Sequence, residues 1–387
     1  MCSTEGRMSV RRLWILCAII GLATCAALGV AQQPVPTAAV SEAPAAAAGT
    51  AAAAASVETA APKVSVTFLD LQAAKAAIVD DSAEPYFDKL QPLEMAAKTG
   101  SPVPGATLDE QRAECRRRYQ AAVLEFSQKE KETLTWYVSS FQPILEKEYP
   151  LVARTSWSFI KLSDRIEGGL PHTRGPHIIL GLRTLVGLSF ARERFTVQGA
   201  LSNAVVLVHE QLHVVQRAHP DLFAKLYTDQ WGFQRAQNIE GCPWLVEHQI
   251  LDPDAVDCGW VLPVKQEKGM KFIQPLVVLA KTGQTPAMPP DFRTIAVVVD
   301  PVEGGFRVRM GEGGEPVHRD LERVPEYVQK VFPAKESFHP AEAAAEIFAT
   351  IFALDAFVPK GQAPPDATKS LEPVLSPLRQ WFRENLK

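Results

Sequence analysis

The sequence contains little cysteine, little histidine and no excess of positive charge. Its 387 residues include six cysteines and eight histidines, and 40 basic residues stand against 44 acidic ones. We find neither an internal repeat nor a Gly-rich phosphate loop. The formal net charge of −4 argues against nucleic acid as the main partner, because phosphate binding needs a basic surface.

The composition is that of a globular protein. The apolar fraction is 47% and the charged fraction is 22%, which is unlike the composition of a disordered chain. A chain of this length can bury a substantial core and hold two domains. We therefore expect a folded protein.

Residues 1–31 have the pattern of an export signal. A pair of arginines precedes an apolar run over residues 13–31, which ends at the small residue Ala31. We expect cleavage near Ala31, and two alternatives stay open. The run is long enough to remain as a membrane anchor, and Cys25 lies in a segment that resembles a bacterial lipoprotein box. Each alternative predicts an exported protein, either secreted or held in the periplasm or cell envelope.

Residues 32–63 form an Ala/Pro-rich segment without Lys or Arg before position 63. Scattered Pro and Gly and the lack of an apolar face indicate a disordered linker rather than a packed element. The folded part is therefore expected to begin near residue 64.

Three cysteines follow the export segment, which is an odd number for an oxidising compartment. One possibility is a bridge between Cys242 and Cys258 that leaves Cys115 unpaired. The other is three reduced, buried thiols. The sequence leaves both possibilities open.

The most informative pattern lies in the apolar segment 205–216. It contains His209-Glu210-x-x-His213, and positions i and i+4 of a helix share one face, so both histidines can bind one metal ion. Glu210 lies beside that face, where it can accept a proton from a water molecule on the metal. The pattern predicts a catalytic zinc site, which needs a third protein ligand.

Two candidates for the third ligand follow in the chain. His219 nearly fits the metzincin spacing, but Gln216 stands where that family has Gly. The helix should therefore continue and turn His219 away by about 240°. The second candidate is Glu342, which follows Pro340, a residue that suits the first turn of a helix. Glu346 lies one turn further on the same face, and two like charges there are costly unless a cation lies beside them.

The histidine motif followed by Glu342-x-x-x-Glu346 resembles the gluzincins, which are zincin peptidases with a glutamate as the third ligand. The resemblance implies that Zn²⁺ is bound by His209, His213 and Glu342. It also implies that Glu210 is the general base and that Glu346 accepts a hydrogen bond from the ring of His209. On this reading the protein is an exported metallopeptidase that cleaves peptide bonds.

The two motifs are separated by more than a hundred residues, which is longer than is usual in gluzincins and implies an inserted subdomain over about 220–335. Residues in this gap remain alternative metal ligands, and two residues remain open as donors to the oxyanion. The alternative ligands are His248, Asp252 and Asp254, and the possible donors are Tyr327 and His339.

The expected fold is α+β and zincin-like, mainly helical with a small mixed sheet. We expect an N-terminal helical region over 64–150 and a catalytic domain over 151–387, with the β-containing insert between the two ligand helices. The predicted strands are 64–69, 157–162, 177–182, 272–279, 294–299 and 306–310. In zincins the strand before the motif forms the cleft edge, where an extended peptide can add by main-chain hydrogen bonds. Here that strand would be 176–180.

Two other functions stay open beside the peptidase. One is a non-catalytic zinc-binding protein on a zincin-like scaffold, although such a protein has no need of Glu210. The other is an envelope interaction protein in which the insert binds a partner and the motif is incidental. A peptide or protein substrate is the partner that the peptidase interpretation requires.

Overall fold

The protein is described by a computed structural model that covers residues 65–266, 269–280, 285–331, 338–358 and 371–387. The predicted export signal over 1–31 and the linker over 32–63 lie outside these residues. Within the described ranges, every helix is too short or too polar to cross a lipid bilayer.

The described residues form helices and two β-sheets, and the α+β class is therefore confirmed. The helices are α1 Leu71–Ala77, α2 Pro92–Thr99, α3 Leu108–Ala122, α4 Gln128–Glu148, α5 Pro150–Arg154, α6 Leu182–Arg194, α7 Val197–Asn203, α8 Val205–Ala218, α9 Pro220–Lys225, α10 Pro243–His248, α11 Pro325–Lys330, α12 Pro340–Phe357 and α13 Glu372–Asn385. The strands are β1 Val66–Phe68, β2 Val123–Leu124, β3 Trp157–Leu162, β4 His172–Arg174, β5 His177–Gly181, β6 Gln234–Arg235, β7 Ile239–Glu240, β8 Gln249–Ile250, β9 Trp260–Gln266, β10 Gly269–Leu279, β11 Phe292–Val302, β12 Gly305–Val308 and β13 His318–Asp320.

The first sheet has the order β1-β3-β5-β4, with β1, β3 and β5 parallel and β2 paired to β3. Its strands are apolar on both faces because both faces are covered. Phe159 and Leu180 point into the core that contains α8 and α12, whereas Ile160 and Ile179 pack under α1, α2 and α3. The predicted strands near residues 66, 157 and 177 are thus confirmed.

The edge of this sheet differs from our expectation. We predicted that strand 176–180 forms the cleft edge, but β5 is paired on both sides, and β4 lies antiparallel outside it. A tight turn at Gly175, with a φ of 52°, folds β4 back onto β5. The outer backbone N–H of Thr173 in β4 donates to Asp254 Oδ1 (2.7 Å). This backbone N–H is therefore not free to pair with an added peptide strand.

The helix boundaries follow local chemistry with one exception. Thr107 and Glu110 have the spacing of a capping box and form one at the start of α3, and α4 ends at Glu148, two residues before Pro150. Pro143 is a residue type that breaks or kinks helices, but it lies inside α4 and does not break it. The core contacts of the residues around it keep the helix continuous despite the hydrogen bond lost at proline.

The insert is built on the second sheet, with the order β6-β9-β10-β11-β12-β7 and mostly antiparallel pairing. Strands β10, β11 and β12 confirm the predicted strands, and Gly304 (φ 78°) makes the hairpin turn between β11 and β12. The sheet has eight strands against five in the first, so the β content exceeds the small mixed sheet that we expected. Segment 242–260 contains α10 and β8.

The insert and the motif helices share one core. Trp260, Leu262 and Ile273 of the second sheet belong to the same apolar cluster as residues of α8 and α12. The cysteines of this region are free thiols, and Gln249 Nε2 donates to Cys258 Sγ (3.1 Å). The structure thus has the reduced form of Cys115, Cys242 and Cys258 rather than the bridge.

Helix α12 packs closely against α8 through small residues. Ala343, Ala344 and Ala345 are fully buried, and side chains of this size allow two helices to approach each other closely. Gln216 Nε2 on α8 donates a hydrogen bond to the Ala341 carbonyl at the start of α12 (3.0 Å). The relative position of the two helices is therefore set by both packing and a polar contact.

Enlarging this interface should destabilise the protein. We expect Ala345→Leu to lower the free energy of unfolding by about 1–3 kcal/mol, because a close-packed interior has no room for the added methylenes. Chemical denaturation measures the change. The matched control is Ala113→Leu on the exposed face of α3, which should leave stability nearly unchanged. Equal stability of the two variants would contradict the close packing.

Candidate metal centre

Helix α8 has an apolar side that fixes its orientation in the core. Leu207, Val208 and Leu212 are fully buried, and they direct the other side of the helix towards α12. His209 and His213, one turn apart, lie on that side with their Nε2 atoms 3.1 Å from each other. The predicted pair of ligands is therefore brought together by one helix.

Helix α12 brings Glu342 to the same point. Its Oε1 lies 3.1 Å from His213 Nε2, and its Oε2 lies 3.6 Å from His209 Nε2. The helix begins as predicted with Pro340 in its first turn, and the side chain of His339 caps it by accepting from the Ala341 N–H (3.1 Å). Potential ligand atoms of His209, His213 and Glu342 all lie within 4.8 Å of one another.

This donor set fits a zinc ion. Bonds of about 2.0–2.1 Å in a tetrahedral site separate neighbouring ligand atoms by about 3.3 Å, close to the distances seen here. Glu342 Oε1 is buried and lies 3.1 Å from His213 Nε2, and a buried carboxylate oxygen is costly unless a positive charge lies beside it. Two imidazoles and one carboxylate are also a common ligand set for catalytic zinc.

Gln216 contacts His213 at Nδ1, the ring nitrogen that does not face Glu342. Its Oε1 lies 2.8 Å from His213 Nδ1, so Nδ1 carries the proton and Nε2 keeps its lone pair for a metal. The sequence reasoning treated Gln216 only as the residue that replaces a metzincin glycine. A polar residue three positions after His213, on the buried side of the helix, was the signal for this second role.

Glu346 lies close to His209 but is not within hydrogen-bond distance. The gap between Glu346 Oε2 and His209 Nδ1 is 3.7 Å, whereas the resemblance implies a direct hydrogen bond. Burial and the nearby charge of Glu342 raise the pKa of Glu346, although His209 opposes this. Glu346 therefore lies beside His209, as expected, but the distance between them is longer than a hydrogen bond.

The charges of the centre act strongly on one another. Burial lowers the pKa of His213, but the carboxylates of Glu342 and Asp254 outweigh it and raise that pKa to about 10. Burial raises the pKa of Glu342, but His213 and His209 bring it well below its ordinary value. Without a metal, the two groups therefore form a buried ion pair, and a zinc ion would have to displace the proton of His213 to bind there.

Glu210 lies in the protein interior beside these ligands. It is only 3% exposed, and its Oε2 has no hydrogen-bond partner among the described residues. Burial raises its pKa well above the ordinary value, and the charges of Asp254, Glu342 and Asp252 add to this, while His213 opposes it. A carboxylate in this setting binds a proton readily.

The alternative ligands divide into two groups. Asp252 and Asp254 do reach the centre, because their carboxylate oxygens and one of Glu342 lie within 4.8 Å of one another. His219 is the C-terminal cap of α8, and His248 donates through Nδ1 to the Trp244 carbonyl (2.8 Å). Neither histidine belongs to a group of potential ligands among the described residues.

The possible oxyanion donors lie in different surroundings. His339 uses Nδ1 as the cap of α12 and donates through Nε2 to the Asp257 carbonyl (2.6 Å), so both ring nitrogens are engaged. Burial alone raises the pKa of Tyr327. Burial and the charge of Glu342 raise the pKa of Tyr227. The sequence reasoning missed it, because no motif marks the π-turn at Leu226–Gln230.

Comparison with known proteins gave no match. No protein-family model, no curated protein and no solved structure matches this chain. The assignment of the centre therefore depends on its own geometry.

Removing the Gln216 amide should weaken zinc binding. We expect Gln216→Leu to raise the zinc dissociation constant about ten- to a hundredfold, because His213 loses the acceptor that orients its ring. Competition titration against a chelating dye measures this. The control is Gln211→Leu, which loses a buried hydrogen bond from Nε2 to the Thr155 carbonyl (2.9 Å) on the same helix. Equal zinc affinities in the two variants would show that Gln216 acts only through stability.

Proposed function

We propose that the protein is an exported, zinc-dependent hydrolase that cleaves peptide bonds on a gluzincin-like pair of helices. The observation that carries the proposal is the convergence of His209 Nε2, His213 Nε2 and the Glu342 carboxylate from two separate helices. These helices come from distant parts of the sequence. A zinc ion would explain why a carboxylate is buried against two imidazoles where they meet. The export pattern over 1–31 supports a location outside the cytoplasm.

Glu210 supplies the base that distinguishes an enzyme from a structural zinc site. A structural zinc has four protein ligands and no need of a buried, unpaired carboxylate next to it. Glu210 accepts a proton from the attacking water and then passes it to the leaving nitrogen, so one group acts as base and as acid. Burial and the neighbouring carboxylates raise the affinity of Glu210 for a proton.

Zinc would supply the remaining electrostatic chemistry by polarising the scissile carbonyl and increasing the acidity of water. Tyr227 keeps its hydroxyl proton because burial and Glu342 raise its pKa. A protonated hydroxyl is a hydrogen-bond donor, the kind of group that stabilises negative charge on a carbonyl oxygen. Gln216 keeps the lone pair of His213 Nε2 directed towards the metal.

Peptide binding would not follow the strand-addition pattern at Thr173. The backbone N–H of this residue donates to Asp254, and Arg217 Nη2 lies 3.4 Å from its carbonyl oxygen. Side chains of the insert, rather than the backbone of β4, are therefore the expected contacts of the substrate near this position.

Replacing the base should abolish hydrolysis and leave the metal bound. We expect Glu210→Gln to lower kcat by about a hundredfold or more against a fluorogenic peptide library, because the amide cannot accept the proton of water. The control is Glu247→Gln, an exposed substitution that should keep full activity. Hydrolysis that survives in Glu210→Gln would contradict the assigned base. Zinc without hydrolysis in the wild type would favour the non-catalytic scaffold.

Removing the third ligand should remove the metal. We expect one zinc per wild-type chain and a large loss of zinc in Glu342→Ala, because two neutral histidines bind the ion weakly alone. Elemental analysis after dialysis measures both. His219→Ala should retain zinc, because the helix ends before this residue. Zinc that is kept in Glu342→Ala and lost in His219→Ala would overturn the ligand assignment.

A further inference from the structure

A second set of oxygen donors shares Glu342 with the candidate zinc site. Carboxylate oxygens of Asp252, Asp254 and Glu342 lie within 4.8 Å of one another. Oxygen atoms this close can belong to the ligand shell of one hard divalent cation, whose bonds to oxygen are about 2.0–2.6 Å long. The zinc interpretation uses only Glu342 of these three.

The loop that carries the two aspartates is held by buried contacts from outside the cluster. Glu94 Oε1 accepts from the Leu251 N–H (2.7 Å), and Lys98 Nζ donates to the Leu251 carbonyl (2.8 Å). Glu94 and Lys98 are buried on α2, and Lys98 also pairs with the buried Glu167 (3.0 Å). Arg217 on α8 fastens the same loop through the Pro253 carbonyl (2.7 Å). Contacts from α2 and from α8 therefore hold the loop in place beside Glu342.

Glu210 provides an independent indication of a bound cation. It shares one side of α8 with Arg217, two turns further on, and Arg217 contacts the aspartate loop. Glu210 is therefore aimed towards this loop, and it is 3% exposed with Oε2 unpartnered among the described residues. A buried carboxylate oxygen without a donor is costly unless a cation lies within reach.

Five acidic side chains lie around the two histidines, namely Glu210, Asp252, Asp254, Glu342 and Glu346. Among the described ion pairs, Arg217 lies 3.7 Å from Asp254 Oδ1, and it also pairs with Glu84 (2.9 Å). A cation held between the two aspartates and Glu342 would add a second positive charge to this acidic cluster.

We propose that Asp252, Asp254 and Glu342 bind a second divalent cation, with Glu342 bridging it to the zinc ion. Donors that are all carboxylate oxygens select a hard ion such as Mg²⁺, Mn²⁺ or Ca²⁺ over zinc, which takes the two imidazoles. A shared carboxylate places the ions about 3.5–4 Å apart, as in two-metal hydrolases. The inference rests on the proposed zinc function, because Glu342 serves both ions.

Titration of the full chain with Mn²⁺ after loading with one equivalent of Zn²⁺ tests the second site. We expect electron paramagnetic resonance to show one bound Mn²⁺ per wild-type chain. Asp252→Asn should weaken Mn²⁺ binding about tenfold or more, because the site loses a charged ligand, and it should keep one zinc. The asparagine oxygen can still accept the hydrogen bond that Asp252 Oδ1 receives from the Asp254 N–H (2.8 Å), so the loop should keep its fold.

The matched control is Asp257→Asn, which changes an aspartate in the same region that pairs with the exposed Arg235. It should bind Mn²⁺ as the wild type does. A wild-type chain with one zinc and no bound Mn²⁺ would overturn the second site and leave the zinc function intact. Equal Mn²⁺ affinity in the wild type and in Asp252→Asn would also overturn it. A chain that binds no zinc would overturn the zinc function separately.

Discussion

The close packing of α12 against α8 places the Glu342 carboxylate against two imidazoles in the protein interior. Small residues allow the approach, and the hydrogen bond from Gln216 to the Ala341 carbonyl aligns the two helices. Removing a carboxylate from water is expensive, so this arrangement requires compensating charge. A protonated His213 supplies that charge in the metal-free chain, and a metal ion would supply it in its place.

The parts of the site that lie on one helix could be predicted from the sequence. The spacing of His209 and His213 determines that they share a face, and Pro340 marks the start of the second helix. The contact between Gln216 and the Ala341 carbonyl was missed because its two residues lie far apart in the chain. Glu346 was expected in direct contact with His209, but the separation of two packed helices is set by side chains that periodicity does not describe.

The fold, like the site, could be predicted where local sequence determines the structure and not where distant residues determine it. Strands with uninterrupted apolar runs were recognised, whereas β9 and the short elements between residues 242 and 260 were not, because their pairing partners are distant. The edge of the first sheet was misplaced because β4 is only three residues long and depends on the turn at Gly175. The aspartates reach the centre because Glu94 and Lys98 of the N-terminal helices hold Leu251, a contact that no local pattern indicates.

The most direct test of the zinc centre is anomalous diffraction at the zinc edge from crystals of the purified protein. The account predicts a strong peak within bonding distance of His209 Nε2, His213 Nε2 and the Glu342 carboxylate, with Glu210 beside it and not bound. A peak that contacts His219 or His248 instead, or no peak in crystals equilibrated with zinc, would contradict the account.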